Sequence, residues 1–304
     1  MQDEDDQTAE PAAAEPVDDR ASHDAQQNSG QFVPDGIPDD RGPAAYFAEL
    51  LGTFILVFLI TAAVSLYVLP AVPAGPGLPP VQPFIDFSVI GLVHVFVLFL
   101  LIHSLAAISG AHFNPAVTIA LTFLREVKVR DAGIYIAMQI IGAVLGALLT
   151  KALLTDEGEG SQYGSTLVTD RLSDGTFPGM VVEGIGTFLL VFAIIGVAVN
   201  PGGIRAWSGL VIGATLGLIV MVFGPLTGAG FNPARSFGAA VVGDFGGVGQ
   251  FVLVYVLAPI LGALLAAVVG RQLFIKPHRD VTPDEVGNGG TRAGGRRRLP
   301  PRPA

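Results

Sequence analysis

The strongest constraint on this chain is that parts of it occur twice. Residues 48–58 (AELLGTFILVF) and 182–192 (VEGIGTFLLVF) agree at seven of eleven positions, and residues 109–116 (SGAHFNPA) and 227–234 (TGAGFNPA) agree at six of eight. Self-similarity of this kind marks two copies of one structural unit. The first pair is offset by 134 residues and the second by 118, so the first copy carries sixteen additional residues. A stretch with Pro70, Pro73, Pro76, Pro79, Pro80 and Pro83 accounts for them and reads as an extended external excursion.

Each copy holds three apolar stretches long enough to cross about 30 Å of hydrocarbon. They lie near 44–69, 87–107 and 131–154 in the first copy, and near 177–199, 206–226 and 249–272 in the second. A composition of 51% hydrophobic and 14% charged residues with 39 glycines points the same way, being too apolar for an ordinary soluble domain. Two shorter apolar segments, 115–124 and 233–242, open on Asn-Pro and cannot cross, so they are expected to be re-entrant. Three spans per copy is an odd number, so the second copy enters from the opposite side of the membrane: an inverted repeat. The expected fold is an all-α membrane protein with six transmembrane helices plus two re-entrant half-helices.

Charge is concentrated at the ends. Residues 1–43 carry twelve acids against Arg20 and Arg41, a net −10 within a whole-chain charge of −9. With neither a basic nor an apolar leader region, that segment reads as a disordered acidic tail rather than a secretory signal. Residues 273–304, rich in Gly, Pro and Arg, read as a disordered basic tail. The membrane domain expected between them covers 44–272, its halves about 44–154 and 177–272. Basic residues in short loops (Arg125, Lys128 and Arg130, then Arg205, then Arg271 and Lys276) place those loops and both termini in the cytoplasm. The connection at 155–176, with Arg171 against five acids, is then external. The absence of cysteine excludes disulfides and thiolate chemistry.

The inverted symmetry brings the starts of the two Asn-Pro-Ala segments together near the membrane midplane. Proline suits the first helical position, where no N–H is needed, and asparagine is a preferred N-cap whose oxygen takes a backbone N–H, leaving its amide donors free. Two helix N-termini meeting head to head present two positive dipole ends, which disfavour cations and protons while Asn114 and Asn232 donate to a passing oxygen. A lone Asn-Pro is weak, and Asn200-Pro201-Gly202-Gly203 reads as a simple turn. The duplicated motif is not.

Residues 44–272 resemble the aquaporin, or major intrinsic protein, family. The matching positions are Glu49 and Glu183, Asn114-Pro115-Ala116, Asn232-Pro233-Ala234 and the following Arg235. The resemblance implies a homotetramer in the plasma membrane with one pore per subunit, passing water and small neutral solutes, without cofactor, metal or nucleic-acid partner. It also implies that Glu49 and Glu183 anchor the re-entrant loops. Counting from the motifs, His94, Val220 and Ala229 join Arg235 in an outer constriction.

That set matches neither the water-strict pattern, an aromatic with histidine, nor the glycerol-facilitator pattern, aromatics with glycine. It looks more like the plant tonoplast type, with a wider and partly hydrophobic aperture open to ammonia, urea or hydrogen peroxide. An isolated histidine on an apolar helix also fits simple packing, which is the reading for His103. For His112, pore-mouth and loop-packing readings stand side by side. Ser236 and Ala240 depart from the glycerol-facilitator pattern; Tyr255 fits the water-channel pattern and Val256 departs from it. Glycines at 142 and 146, and at 209, 213 and 217, indicate close helix packing, and Tyr46 and Trp207 read as interfacial anchors. A secondary transporter also uses inverted repeats, but the spans lack coupling groups beyond Glu49 and Glu183. A glycerol-facilitator-type channel stays open as an alternative. No phosphate loop, metal cluster or nucleophile–base pair supports an enzyme.

Overall fold

The computed structural model describes residues 41–69 and 84–275. The acidic tail up to residue 40, the excursion over 70–83 and the basic tail from residue 276 lie outside the described residues. Among the described residues, six helices are long and apolar enough to span a membrane. In chain order the elements are α1 (Pro43–Tyr67), the two-residue strands β1 (Val68–Leu69) and β2 (Phe84–Ile85), α2 (Phe87–Ser109), α3 (Pro115–Phe123) and α4 (Val129–Leu153). Next come the short α5 (Thr155–Gly160), α6 (Thr176–Ile194, continued by a π-helical turn to Val199), α7 (Ser208–Thr227) and α8 (Pro233–Val242). The sixth span, Val248–Ile275, comprises α9 (Val248–Phe251), a π-helical segment, α10 (Ala258–Gly270) and a last π-helical turn. Residues 273–275, assigned to the tail from composition, are therefore helical.

The helix ends follow from local chemistry. Asp86 caps α2 by accepting from the Ser88 and Val89 amides, and Gly110 ends it in the left-handed conformation, which costs glycine little. Both half-helices start at an extended asparagine followed by proline. β1 and β2 pair antiparallel, Val68 opposite Ile85 and Leu69 opposite Phe84, so the chain leaves α1 and returns to α2 at one place.

Packing repeats the internal symmetry. In each copy the first span packs on the third (α1 on α4, α6 on α10) and on the second (α1 on α2, α6 on α7), while α2 and α7 meet each other. The half-helices are exchanged: α3 packs on α10 of the second copy and α8 on α4 of the first. Lipid offers no hydrophobic drive between helices, so close contact rests on small residues. A Cβ at Gly213 or Gly217 would lie 2.6 Å from a carbonyl oxygen of α2, that of Val95 or Gly91, and one at Gly146 would lie 2.5 Å from that of Phe54. Ala116 and Ala120 of α3 cluster with Ala263, Ala266 and Ala267 of α10 in the same way. Large apolar side chains such as Phe47, Phe96 and Leu218 face outward.

Candidate functional site

Two buried carboxylates organise the loops ahead of the half-helices. Glu49, on α1, accepts from Ser109 Oγ (2.7 Å) and the His112 amide (2.9 Å) at Oε1, and from the Phe113 amide (2.7 Å) and Gln139 Nε2 (2.8 Å) at Oε2. Glu183, on α6, accepts from Thr227 Oγ1 (2.6 Å) and the Gly230 amide (2.9 Å) at Oε1, and from the Phe231 amide (2.6 Å) at Oε2. A buried carboxylate is tolerable only with such donors, and the loop amides would otherwise be orphaned. Glu183→Gln turns one acceptor oxygen into a donor facing donors. Each bond so lost costs about 1–3 kcal/mol. The detergent-solubilised protein should then lose thermal stability by several degrees, and an unchanged unfolding midpoint would contradict this account.

The loops are held in an unusual shape. Ala111 and Phe113 in one, and Ala229 and Phe231 in the other, have φ between 49° and 55°, a region most side chains avoid. The rings of Phe113 and Phe231 sit where Gly52 and Gly186 have no side chain, three residues beyond each glutamate. This seating turns each phenylalanine carbonyl toward the opposite copy. Asn114 Nδ2 donates to Phe231 O (2.9 Å) and Asn232 Nδ2 donates to Phe113 O (2.8 Å). Their side-chain oxygens cap the half-helices, Asn114 at the Ala116 amide and Asn232 at those of Ala234 and Arg235. The expectation that both amide donors of each asparagine stay free is therefore corrected. One N–H of each ties the two loops together, because a carbonyl turned out by the left-handed phenylalanine needs a donor, and one N–H remains.

The other candidate pore residues come from four different elements. His94 of α2 is buried, its Nδ1 2.8 Å from Ile90 O. A carbonyl only accepts, so Nδ1 carries the hydrogen, and in the neutral ring Nε2 keeps a lone pair. His94 lies within electrostatic reach of Arg235. Val220 of α7 and Ala229 of the second loop are buried in one apolar cluster with Ile90 and Phe231. Arg235 stands in the first turn of α8, 3% exposed, with Nε and Nη1 meeting no protein acceptor among the described residues. His103 stays apart, its ring against Phe99 and over Gly209. His112 packs edge-on to Tyr135, with Nδ1 3.1 Å from Thr118 Oγ1.

Sequence reasoning passed over several residues of this framework. Tyr135 and Tyr255, the second read only as part of a family pattern, donate equivalent bonds, to Ser109 O (2.7 Å) and Thr227 O (2.9 Å), the acceptors lying 118 residues apart and the tyrosines 120. Gln139 has no counterpart of its kind in the second copy and carries no motif. Tyr46, read as an interfacial anchor, donates to the buried Asp131 (2.7 Å), which also accepts from the Arg41 amide (3.1 Å). Nearby, burial raises the carboxyl pKa of Glu126 above its ordinary value against the opposing charges of Arg205 and Arg41.

A sequence model of the major intrinsic proteins matches residues 42–269, the whole of this framework. The chain belongs to the major intrinsic protein family. Among relatives of this channel, the "Probable aquaporin AqpM" of Archaeoglobus fulgidus is 37% identical over 236 residues, covering 73% of this chain and 93% of the relative. The "Glycerol uptake facilitator protein-like 6" of Lactiplantibacillus plantarum is also 37% identical, over 228 residues, covering 74% and 96%. In fold the chain is similar to the aquaglyceroporin of Plasmodium falciparum, with a TM-score of 0.61 at 22% identity, over 76% of this chain and 96% of that one. This major intrinsic protein is thus an integral membrane channel with six spanning helices and two half-helices.

Proposed function

We propose that the channel passes water and small neutral solutes such as ammonia, urea and hydrogen peroxide, and excludes protons and ions. The observation that carries this reading is the junction of the half-helices. Asn114 and Asn232 are crosslinked through one N–H each, so the remaining N–H is held in a fixed direction between two positive helix ends. A molecule that offers an oxygen or nitrogen lone pair is welcome there, and a cation is not. His94, Val220, Ala229 and Arg235 form the outer constriction in this reading, with donors on one wall and apolar surface on the other. The unpartnered guanidinium nitrogens of Arg235 support it, since a buried charge of that kind is sustainable only where permeating molecules meet it.

A glycerol-conducting channel is the second reading, favoured by the small side chains of Val220 and Ala229 and by the glycerol-facilitator-like name of one relative. We further read the chain as a homotetramer with both termini cytoplasmic, acidic and basic tails flanking a 44–272 channel domain, and no catalytic activity. Stopped-flow light scattering on proteoliposomes decides the solute range. Osmotic shrinkage should be fast, and urea and ammonia gradients should produce swelling that His94→Phe reduces several-fold. Rapid water flow with no solute entering would make this a strict water channel, and glycerol passing as readily as urea would favour the second reading.

A further inference from the structure

The two copies of the repeat differ where α6 meets α10. Gly184 takes the place of Leu50 and Ala258 that of Met138, so two large side chains of the first copy are missing from the second. The backbones approach alike in both: a Cβ at Gly262 would run into Gly184 O, as one at Gly142 would run into Leu50 O. Close approach with the flanking side chains removed leaves a groove of about 430 Å³ on the outside of the helix pair. Met180, Gly184 and Phe188 line one wall, and Ala258, Gly262 and Leu265 the other. Packing does not require the glycine at 184. Beyond its own helix, a Cβ there would come within 4 Å of Ala258 O alone, at 3.6 Å, which is ordinary contact. Glycine weakens a helix interior, so an unforced one calls for another reason, and here it keeps the groove open.

The groove lies at hydrocarbon depth. Its span begins at Thr176, so Gly184 is about 12 Å inside it. The rim residues Val181, Ile185, Leu261 and Leu265 are exposed and continuous with the apolar exterior of the spans, which in an integral membrane protein is the boundary with lipid. No side chain in the groove carries an oxygen or nitrogen, so it offers nothing to a lipid headgroup or a polar solute. From Met180 to Phe188 it runs about 12 Å along the helix, longer than a single side chain reaches. Depth, length and chemistry fit a flexible hydrocarbon chain lying lengthwise in it. Such a chain supplies the dispersion contacts that lining atoms forfeit beside a gap.

We propose that the groove between α6 and α10 is a seat for one acyl chain of a membrane lipid, open in the second copy of the repeat and filled in the first by Leu50 and Met138. Glu183 precedes Gly184, and Gly186, the seat of the Phe231 ring, follows two residues on. A chain lodged there braces the stretch of α6 that holds the second re-entrant loop. The seat is independent of which solutes the pore passes.

A phosphatidylcholine with a diazirine midway along one acyl chain, mixed into vesicles holding the full chain, tests the seat. Irradiation should label the groove residues of α6 and α10 about fivefold more than the equivalent surface of α1 and α4. Gly184→Leu should remove that excess. It should also keep the parental unfolding midpoint in lipid-free detergent, because the new side chain enters space already present. Added phosphatidylcholine should raise the midpoint by a few degrees in the parent and leave Gly184→Leu unmoved. Ala258→Met restores the first-copy residue on the opposite wall and fills the groove independently if Gly184→Leu does not fold. Even labelling of all outward faces, or an excess that survives filling, overturns the proposal. So does benzoylphenylalanine in place of Ile185 that yields chain-to-chain dimers on irradiation instead of lipid adducts, since a second copy then covers the groove.

Discussion

Gly186→Leu leaves no folded, water-conducting protein in the membrane fraction. A Cβ at this position would already lie 2.5 Å from Cδ1 and 2.6 Å from Cζ of the Phe231 ring, with Cε1 closer still. The ring has nowhere to go, because the Phe231 amide is held by Glu183 and its carbonyl by Asn114, at a backbone φ of 51°. Overpacking alone costs about 1–3 kcal/mol. Displacing Phe231 breaks at least two further bonds at about 1–3 kcal/mol each. Against a total stability of about 5–15 kcal/mol, that is enough to unfold the second loop. Gly133→Leu is the control, since no atom lies within 4 Å of a Cβ there. Size-exclusion profiles of detergent extracts and water flux in vesicles check both variants, and a Gly186→Leu protein that assembles and conducts like the parent would show that the seating of Phe231 is dispensable.

Arg235→Ala should have the next largest effect, on selectivity rather than folding. The guanidinium is buried, and its Nε and Nη1 meet no protein acceptor among the described residues. Its removal therefore widens the constriction without pulling down a neighbour. It also deletes a charge whose repulsion of a passing cation at 4 Å amounts to about 4 kcal/mol at an effective dielectric of about 20. Urea and glycerol permeability should rise about tenfold, methylammonium should begin to leak, and water flow should hold or increase. Proton exclusion should survive, because the two opposed helix ends are untouched. Unchanged solute permeability would remove Arg235 from the constriction.

Much of the architecture was legible in the sequence because membrane spans and repeats leave strong linear signals. All six apolar stretches match spanning helices within a few residues, and the turn at Asn200 forms as its residues suggest, with Asn200 Oδ1 taking the Gly202 amide (2.9 Å). The two halves share Glu, Gly-Thr-Phe and Asn-Pro-Ala at matching places, so counting alone pointed to the neighbourhood of the carboxylates and capped half-helices. What escaped is what depends on approach between distant segments. Asparagine donors looked free because their acceptors are carbonyls of the other copy, more than a hundred residues away. Gly52 and Gly186 were visible as repeat positions, but their purpose lies in the phenylalanine rings placed on them. Tyr46 reads as an ordinary boundary tyrosine until the buried Asp131 is seen beneath its hydroxyl.

The exchange of half-helices bears on how such a protein is made and from what it descends. Each copy satisfies its own carboxylate: Glu49 uses only residues 109–139, and Glu183 only residues 227–231. What a single copy lacks is a wall for its half-helix and an acceptor for its asparagine, and both are supplied by the other copy. A three-span ancestor inserted in both senses across one membrane would meet those needs by pairing with itself. During synthesis the first copy can settle its glutamate early, yet its half-helix must wait for the last span to emerge from the ribosome. The finished channel is in that sense a dimer joined by its own connection, and its two ends become interdependent only when translation is complete.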